Sequence, residues 1–214
     1  MTTPFRFAYL HGFASSSKSY KGVQLAKAFR QHGVTLELPD MNQPSFSKLT
    51  YSGALSVMDQ RHAEAPDKRW RLIGSSMGGC IATRWAQLNP DAVDRLLLLC
   101  PGFDLPSRWM MLLGEEAFER WQLTGSHLFE IGETRAPLWW KFIEDAKTHP
   151  PIPSASCETL IIHGRADEVV PLESSLQYVH HHDNASLIEV DSDHGLVSAL
   201  PEITAQALAL FEIA

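Results

Sequence analysis

Gly74-Ser75-Ser76-Met77-Gly78-Gly79 lies between a short apolar run, Trp70 to Ile73, and an amphipathic run that begins at Met77. The apolar positions Met77, Cys80, Ile81, Trp85 and Leu88 recur at helical spacing, and Asn89-Pro90 stops the pattern. A strand feeding a helix through so short a turn forces strained dihedrals on the central residue and demands small neighbours, which Gly74, Gly78 and Gly79 supply. Ser76 is then expected to project above the sheet. A plain Gly/Ser loop between two core elements fits the same six residues, so the rest of the chain has to decide.

Working outward, short apolar runs alternate with helical patterns. Phe5 to Leu10, Val34 to Leu38, Trp70 to Ile73, Val93 to Cys100, Thr159 to His163 and Leu187 to Val190 read as strands. Between them, helices are expected near Val23–Gln31, Leu49–His62, Met77–Leu88, Glu173–His180 and Pro201–Phe211. This alternation predicts an α/β fold with a mostly parallel central sheet, and near-continuous apolar strands suit burial on both faces. From Pro101 to Pro150 the alternation breaks, and Trp109, Trp121, Trp139 and Trp140 fall there with Met110, Met111, Phe118 and Phe142. We read one domain over residues 1–214 with a helical cap inserted at about 101–150. Its aromatics either pack the cap onto the sheet or line an apolar substrate pocket, with Trp109, Trp139 and Trp140 as the candidate lining residues.

Composition narrows the partners. The net charge of −7 argues against nucleic acid, which needs a clustered basic surface. No apolar run approaches the roughly 20 residues that span a bilayer, so no membrane insertion is expected. Cys80, Cys100 and Cys157 show neither paired nor metal-ligand spacing and read as buried free thiols. The N-terminal residues lack the basic and apolar regions of a signal peptide, so a cytoplasmic location is expected.

A serine hydroxyl is a weak nucleophile near neutral pH and needs a base in hydrogen-bond reach and a third group to hold that base. His194, in Asp191-Ser192-Asp193-His194-Gly195, follows the Leu187–Val190 run and so stands at a strand's carboxyl end, where open α/β sheets place their sites. Asp167, in His163-Gly164-Arg165-Ala166-Asp167-Glu168, follows another strand and is the expected carboxylate. Glu168, Asp191 and Asp193 compete for that role and read better as turn or capping residues. The chain order Ser76, Asp167, His194 matches that of serine hydrolases built on a strand-turn-helix elbow. Charge developing on a carbonyl oxygen calls for two N–H donors, here the amides of Met77 at the helix start and Phe13 in Leu10-His11-Gly12-Phe13-Ala14-Ser15-Ser16. His11 and His163 each precede a glycine at a strand end and read as loop-shaping residues. The run His180-His181-His182 diverges in direction along a helix end and is not expected to hold a metal.

With these blocks in place, the chain resembles the α/β-hydrolase fold superfamily from about Phe5 to Phe211. Its Leu-His-Gly-Phe-Ala-Ser-Ser opening and Leu38-Pro39-Asp40-Met41-Asn42 are most similar to small bacterial YqiA/YcfP-type esterases. The resemblance implies Ser76, Asp167 and His194 as a triad, Phe13 and Met77 as oxyanion donors, a small-molecule ester substrate, and no metal or organic cofactor. A monomer or homodimer is expected. The tryptophan-rich insertion is longer than a minimal esterase carries, so substrate preference does not transfer directly. Carbon–carbon hydrolases, amidases and peptidases use the same triad. A slow-turnover small-molecule receptor is the reading from a different class.

Overall fold

The apolar runs form a sheet because no single element can bury them alone. In the computed structural model, which describes residues 4–214, six strands pair in the order β2-β1-β3-β4-β7-β8, every pair parallel. They are β1 (Phe5–Leu10), β2 (Leu36–Glu37), β3 (Arg69–Ser75), β4 (Val93–Leu99), β7 (Glu158–Gly164) and β8 (Ala185–Val190). Helices α1 (Tyr20–Gln31), α2 (Tyr51–Ala63), α3 (Met77–Leu88), α7 (Leu172–His181) and α8 (Leu200–Leu210) cover it. Ser19 and Thr50 cap α1 and α2 by accepting the Gly22 and Gly53 amides, which starts α1 three residues before the expected Val23.

Strand alternation divides the core between the two faces. Leu96 and Leu98 join Met58 and Ile81 of α2 and α3, whereas Leu97 and Leu99 join Leu25, Phe29, Ile203 and Ala207 of α1 and α8. The charged exception is Arg71 in β3, 4% exposed, whose guanidinium meets Asp94 at 2.7 Å and Glu212 at 3.1 Å. Paired in this way it is buried without an orphan charge.

Two expectations change. The Val34–Leu38 run yields only a two-residue edge strand, because β2 pairs on one side alone, with β1. The insertion is only partly helical. Helices α4 (Leu105–Leu113), α5 (Glu115–Thr124) and α6 (Lys141–Ala146) are joined by an antiparallel hairpin of β5 (Ser126–Ile131) and β6 (Thr134–Trp139). Its two-residue turn is Gly132-Glu133, with Gly132 at φ +59°, and Phe129 and Leu138 turn inward while Leu128 and Trp139 face out. That two-residue period opposes a continuous helix.

Candidate active site

The loops after β1, β3, β4, β7 and β8 all leave the same edge of the parallel sheet, so chemistry distant in sequence converges there. At its centre Ser76 adopts φ 53° and ψ −122° between β3 and α3. This conformation is sparsely populated for a non-glycine residue and persists because the surroundings over-determine it. The Ser76 amide donates to Leu99 O at 2.9 Å, and its carbonyl accepts from Gly79 at 2.8 Å and Gly102 at 2.8 Å. A Cβ at Gly78 would lie 2.2 Å from the Leu10 carbonyl oxygen, so the helix start presses on β1 with no room for a side chain.

Ser76 Oγ lies 3.0 Å from His194 Nε2, and His194 Nδ1 lies 2.7 Å from Asp167 Oδ2. A carboxylate only accepts, so Nδ1 carries the imidazole proton and Nε2 is left to accept from the serine hydroxyl. Asp167 Oδ1 accepts the amides of Val169 and Val170, both at 2.8 Å, which fixes the carboxylate plane. Burial alone would push the Asp167 carboxyl up, but hydrogen bonds from His163, His194 and the Val170 amide outweigh it and hold the group well below the usual carboxylate range. Glu168, Asp191 and Asp193 are exposed, and Asp193 Oδ1 accepts the Leu196 amide at 3.2 Å in its own turn.

The loop carrying Phe13 touches Ser76 closely. A Cβ on Gly12 would stand 3.1 Å from Ser76 Cβ and 3.7 Å from its Oγ. Met77 begins α3, whose first amides have no intrahelical acceptor and whose dipole favours an anion. Met41 N–H donates to His11 Nε2 at 3.0 Å, leaving Nδ1–H to donate to Gly12 O at 2.9 Å. His11 therefore ties the Phe13 loop to the Pro39–Asn42 segment.

Phe13 also anchors the cap. Its ring centroid lies 4.8 Å from Trp109, 5.0 Å from Phe129, 5.4 Å from Phe46 and 5.6 Å from Phe142. Trp109, 5% exposed, is thus brought to the loop beside Ser76. Trp139 is 46% exposed with the Lys48 ammonium 5.3 Å from its ring, and Trp140 packs on Phe118 and Trp121 within the cap.

Three residues lie beside Asp167 that the sequence did not place there, although it reads Cys100 as a buried thiol and His163 as a loop-shaping residue. Lys21 of α1 is one. Burial pushes its ammonium down, opposed by Cys100, Asp193 and Asp167. Cys100, the residue after β4, has a thiol raised first by burial and further by Asp167. His163 Nε2 lies 3.3 Å from Asp167 Oδ2, and the spacing of four residues between them was the available signal. Cys100, His163 and Asp167 gather potential ligand atoms within 4.8 Å of one another. Both His163 nitrogens and both Asp167 oxygens are already hydrogen-bonded, so the donor set fits a hydrogen-bond network better than an ion. Burial raises the Cys80 thiol to about 12 and the Cys157 thiol to about 11, which leaves both inert near neutral pH. His181 and His182 bond separately to the Gln177 and Tyr178 carbonyls, and none of the clusters that could hold a metal among the described residues includes them.

Residues 6–212 match the model of the uncharacterised protein family UPF0227. The chain belongs to this family. UPF0227 is of YqiA/YcfP type and falls within the α/β-hydrolase superfamily. Its similarity to mouse mitochondrial palmitoyl-protein thioesterase ABHD10 is 27% identity over 195 residues, covering 79% of this chain and 61% of that protein. The chain therefore spans about three fifths of that relative. Among solved structures, mouse α/β hydrolase domain-containing protein 10 superposes with a TM-score of 0.79 at 20% identity, covering 99% of this chain and 90% of that one. Est1E from Butyrivibrio proteoclasticus, solved with ferulic acid bound, gives 0.81 at 20% identity over 99% and 89%. Both show this UPF0227 chain to have the α/β-hydrolase fold. No helix among the described residues is long and apolar enough to cross a membrane.

Proposed function

We propose that this UPF0227 protein is a serine hydrolase, carboxylesterase-like, that cleaves ester or thioester bonds of a small apolar or aromatic substrate through an acyl-enzyme. One observation carries the reading: the unbroken chain from Ser76 Oγ through His194 to Asp167, at 3.0 and 2.7 Å. Ser76 attacks the carbonyl carbon while His194 Nε2 takes its proton. The Phe13 and Met77 amides hold the oxyanion, and His194 then returns the proton to the leaving group. Water, deprotonated by His194, clears the acyl group. Asp167 keeps the imidazole in the required tautomer and stabilises its charged form.

The aromatic cluster around Phe13, with Trp109 in it, supports an apolar acyl site beneath the 101–150 cap. We assign Trp139 and Trp140 to the outer part of that site. The thioesterase name of the mouse relative favours including thioesters among the substrates. Unpaired Cys80, Cys100 and Cys157 support a reducing, cytoplasmic setting.

The test is turnover of p-nitrophenyl esters and acyl thioesters of increasing chain length by wild type and Ser76→Ala. Loss of activity by about a thousandfold or more in the variant, with a wild-type optimum beyond acetyl, is expected. Retained turnover in the variant refutes the nucleophile, and strict acetyl preference refutes the apolar site.

A further inference from the structure

We infer that His163 is a positioning residue for the triad acid: its Nε2–H, donated to Val170 O, also faces Asp167 Oδ2 at 3.3 Å, and the positive end of that N–H dipole holds the oxygen on the axis to His194. This inference rests on the triad reading above. His163 is fully buried near the end of β7, after the apolar residues Ile161 and Ile162. Its Nε2 lies 3.0 Å from Val170 O and 3.3 Å from Asp167 Oδ2, two groups that only accept, so this nitrogen carries the proton. Nδ1 lies 2.8 Å from Ser175 Oγ in α7, itself fully buried, so the serine hydroxyl donates there and fixes the tautomer. The result is a relay, Ser175 to His163 to Asp167 to His194 to Ser76, in which each group sets the proton position of the next.

The physical consequence concerns proton affinity. Asp167 Oδ2 accepts from His194 Nδ1 at 2.7 Å and is further stabilised by the His163 Nε2–H dipole at 3.3 Å, while Oδ1 is taken up by the Val169 and Val170 amides. Removing the His163 donor leaves Oδ2 to His194 alone. A carboxylate with fewer donors is a stronger acceptor and favours the protonated imidazole. The serine then loses its base at a higher pH than in wild type. Other groups facing the pair are the Lys21 ammonium from α1, the Cys100 thiol just after β4, and Asp193 from the His194 loop. All remain in place in the variants below, so they set a constant background.

A merely structural histidine predicts lower stability with an unmoved pH profile. A positioning histidine predicts that the profile moves. The experiment measures kcat/KM for p-nitrophenyl butyrate against pH for wild type, His163→Leu, His163→Phe, His163→Gln and Ser76→Ala, with thermal unfolding of each. His163→Leu should shift the acid limb upward by about half a pH unit or more, a roughly threefold change in available base at fixed pH. Glutamine can present an N–H where Nε2 stood and should restore the limb to the wild-type position. If His163→Leu does not fold, His163→Phe keeps a ring in the pocket without a donor and should shift the limb in the same direction. A folded His163→Leu, or failing that a folded His163→Phe, with a wild-type acid limb overturns the inference. Should Ser76→Ala retain turnover in the same assay, the triad reading falls and takes this inference with it. An inactive Ser76→Ala beside an unshifted His163→Leu defeats the inference alone.

Discussion

Asp167→Asn tests how the site works more sharply than a truncation would, because it keeps size and shape and alters only what the side chain can accept. Asp167 Oδ1 receives two backbone N–H groups at 2.8 Å, and those donors force the amide oxygen of asparagine into that position. The NH2 group must then face His194 Nδ1, where the carboxylate oxygen stood at 2.7 Å. Two donors cannot share that distance, so the imidazole moves its proton to Nε2, which faces Ser76 Oγ at 3.0 Å. In that tautomer it has no lone pair for the serine proton. The expected loss in kcat is about a thousand- to ten-thousandfold, or about 4 to 5.5 kcal/mol of transition-state stabilisation. Steady-state hydrolysis of p-nitrophenyl butyrate reads it directly, and the rate of fluorophosphonate labelling of Ser76 should fall in parallel. A variant that folds and keeps turnover within tenfold of wild type would refute the tautomer argument.

Three further outcomes follow from contacts already described. Gly12→Ala places a methyl 3.1 Å from Ser76 Cβ and 3.3 Å from Ser75 O, which should displace the nucleophile and lower kcat/KM by on the order of a hundredfold while unfolding midpoints change little. Because the folded Asp167 carboxyl is held below its unfolded value of about 3.9, its contribution is complete above that pH and is lost as pH falls below it. Between about pH 5 and 3 wild type should therefore lose about 1 kcal/mol more stability than Asp167→Asn in urea titrations; parallel losses would contradict the assignment. Trp121→Ala removes a fully buried side chain whose Nε1 donates to Leu138 O at 2.9 Å, and urea unfolding should show a cost of about 3 to 5 kcal/mol.

The parallel sheet was legible because its interior strands are buried on both faces and read as unbroken apolar runs, as in Leu96–Leu99. The elbow was legible because Ser76 needs small neighbours that leave a visible spacing. The β5–β6 hairpin was not, since its tryptophans and leucines also fit a helical cap and only Gly132 marks the turn. Arg71 defied its apolar strand because its partners, Asp94 and Glu212, lie on β4 and beyond α8. Lys21 and Cys100 were invisible as neighbours of Asp167 for a related reason: three separate elements bring them together, and no local pattern records that approach.

The central claim is that Ser76 carries the acyl group, and intact-protein and peptide mass spectrometry of the enzyme quenched during p-nitrophenyl butyrate turnover tests it most directly. A butyryl adduct on the tryptic peptide Leu72–Arg84, localised by fragmentation to Ser76 rather than Ser75 and absent from Ser76→Ala, is the predicted result. An adduct on any other residue, or full hydrolysis by Ser76→Ala, would contradict the account.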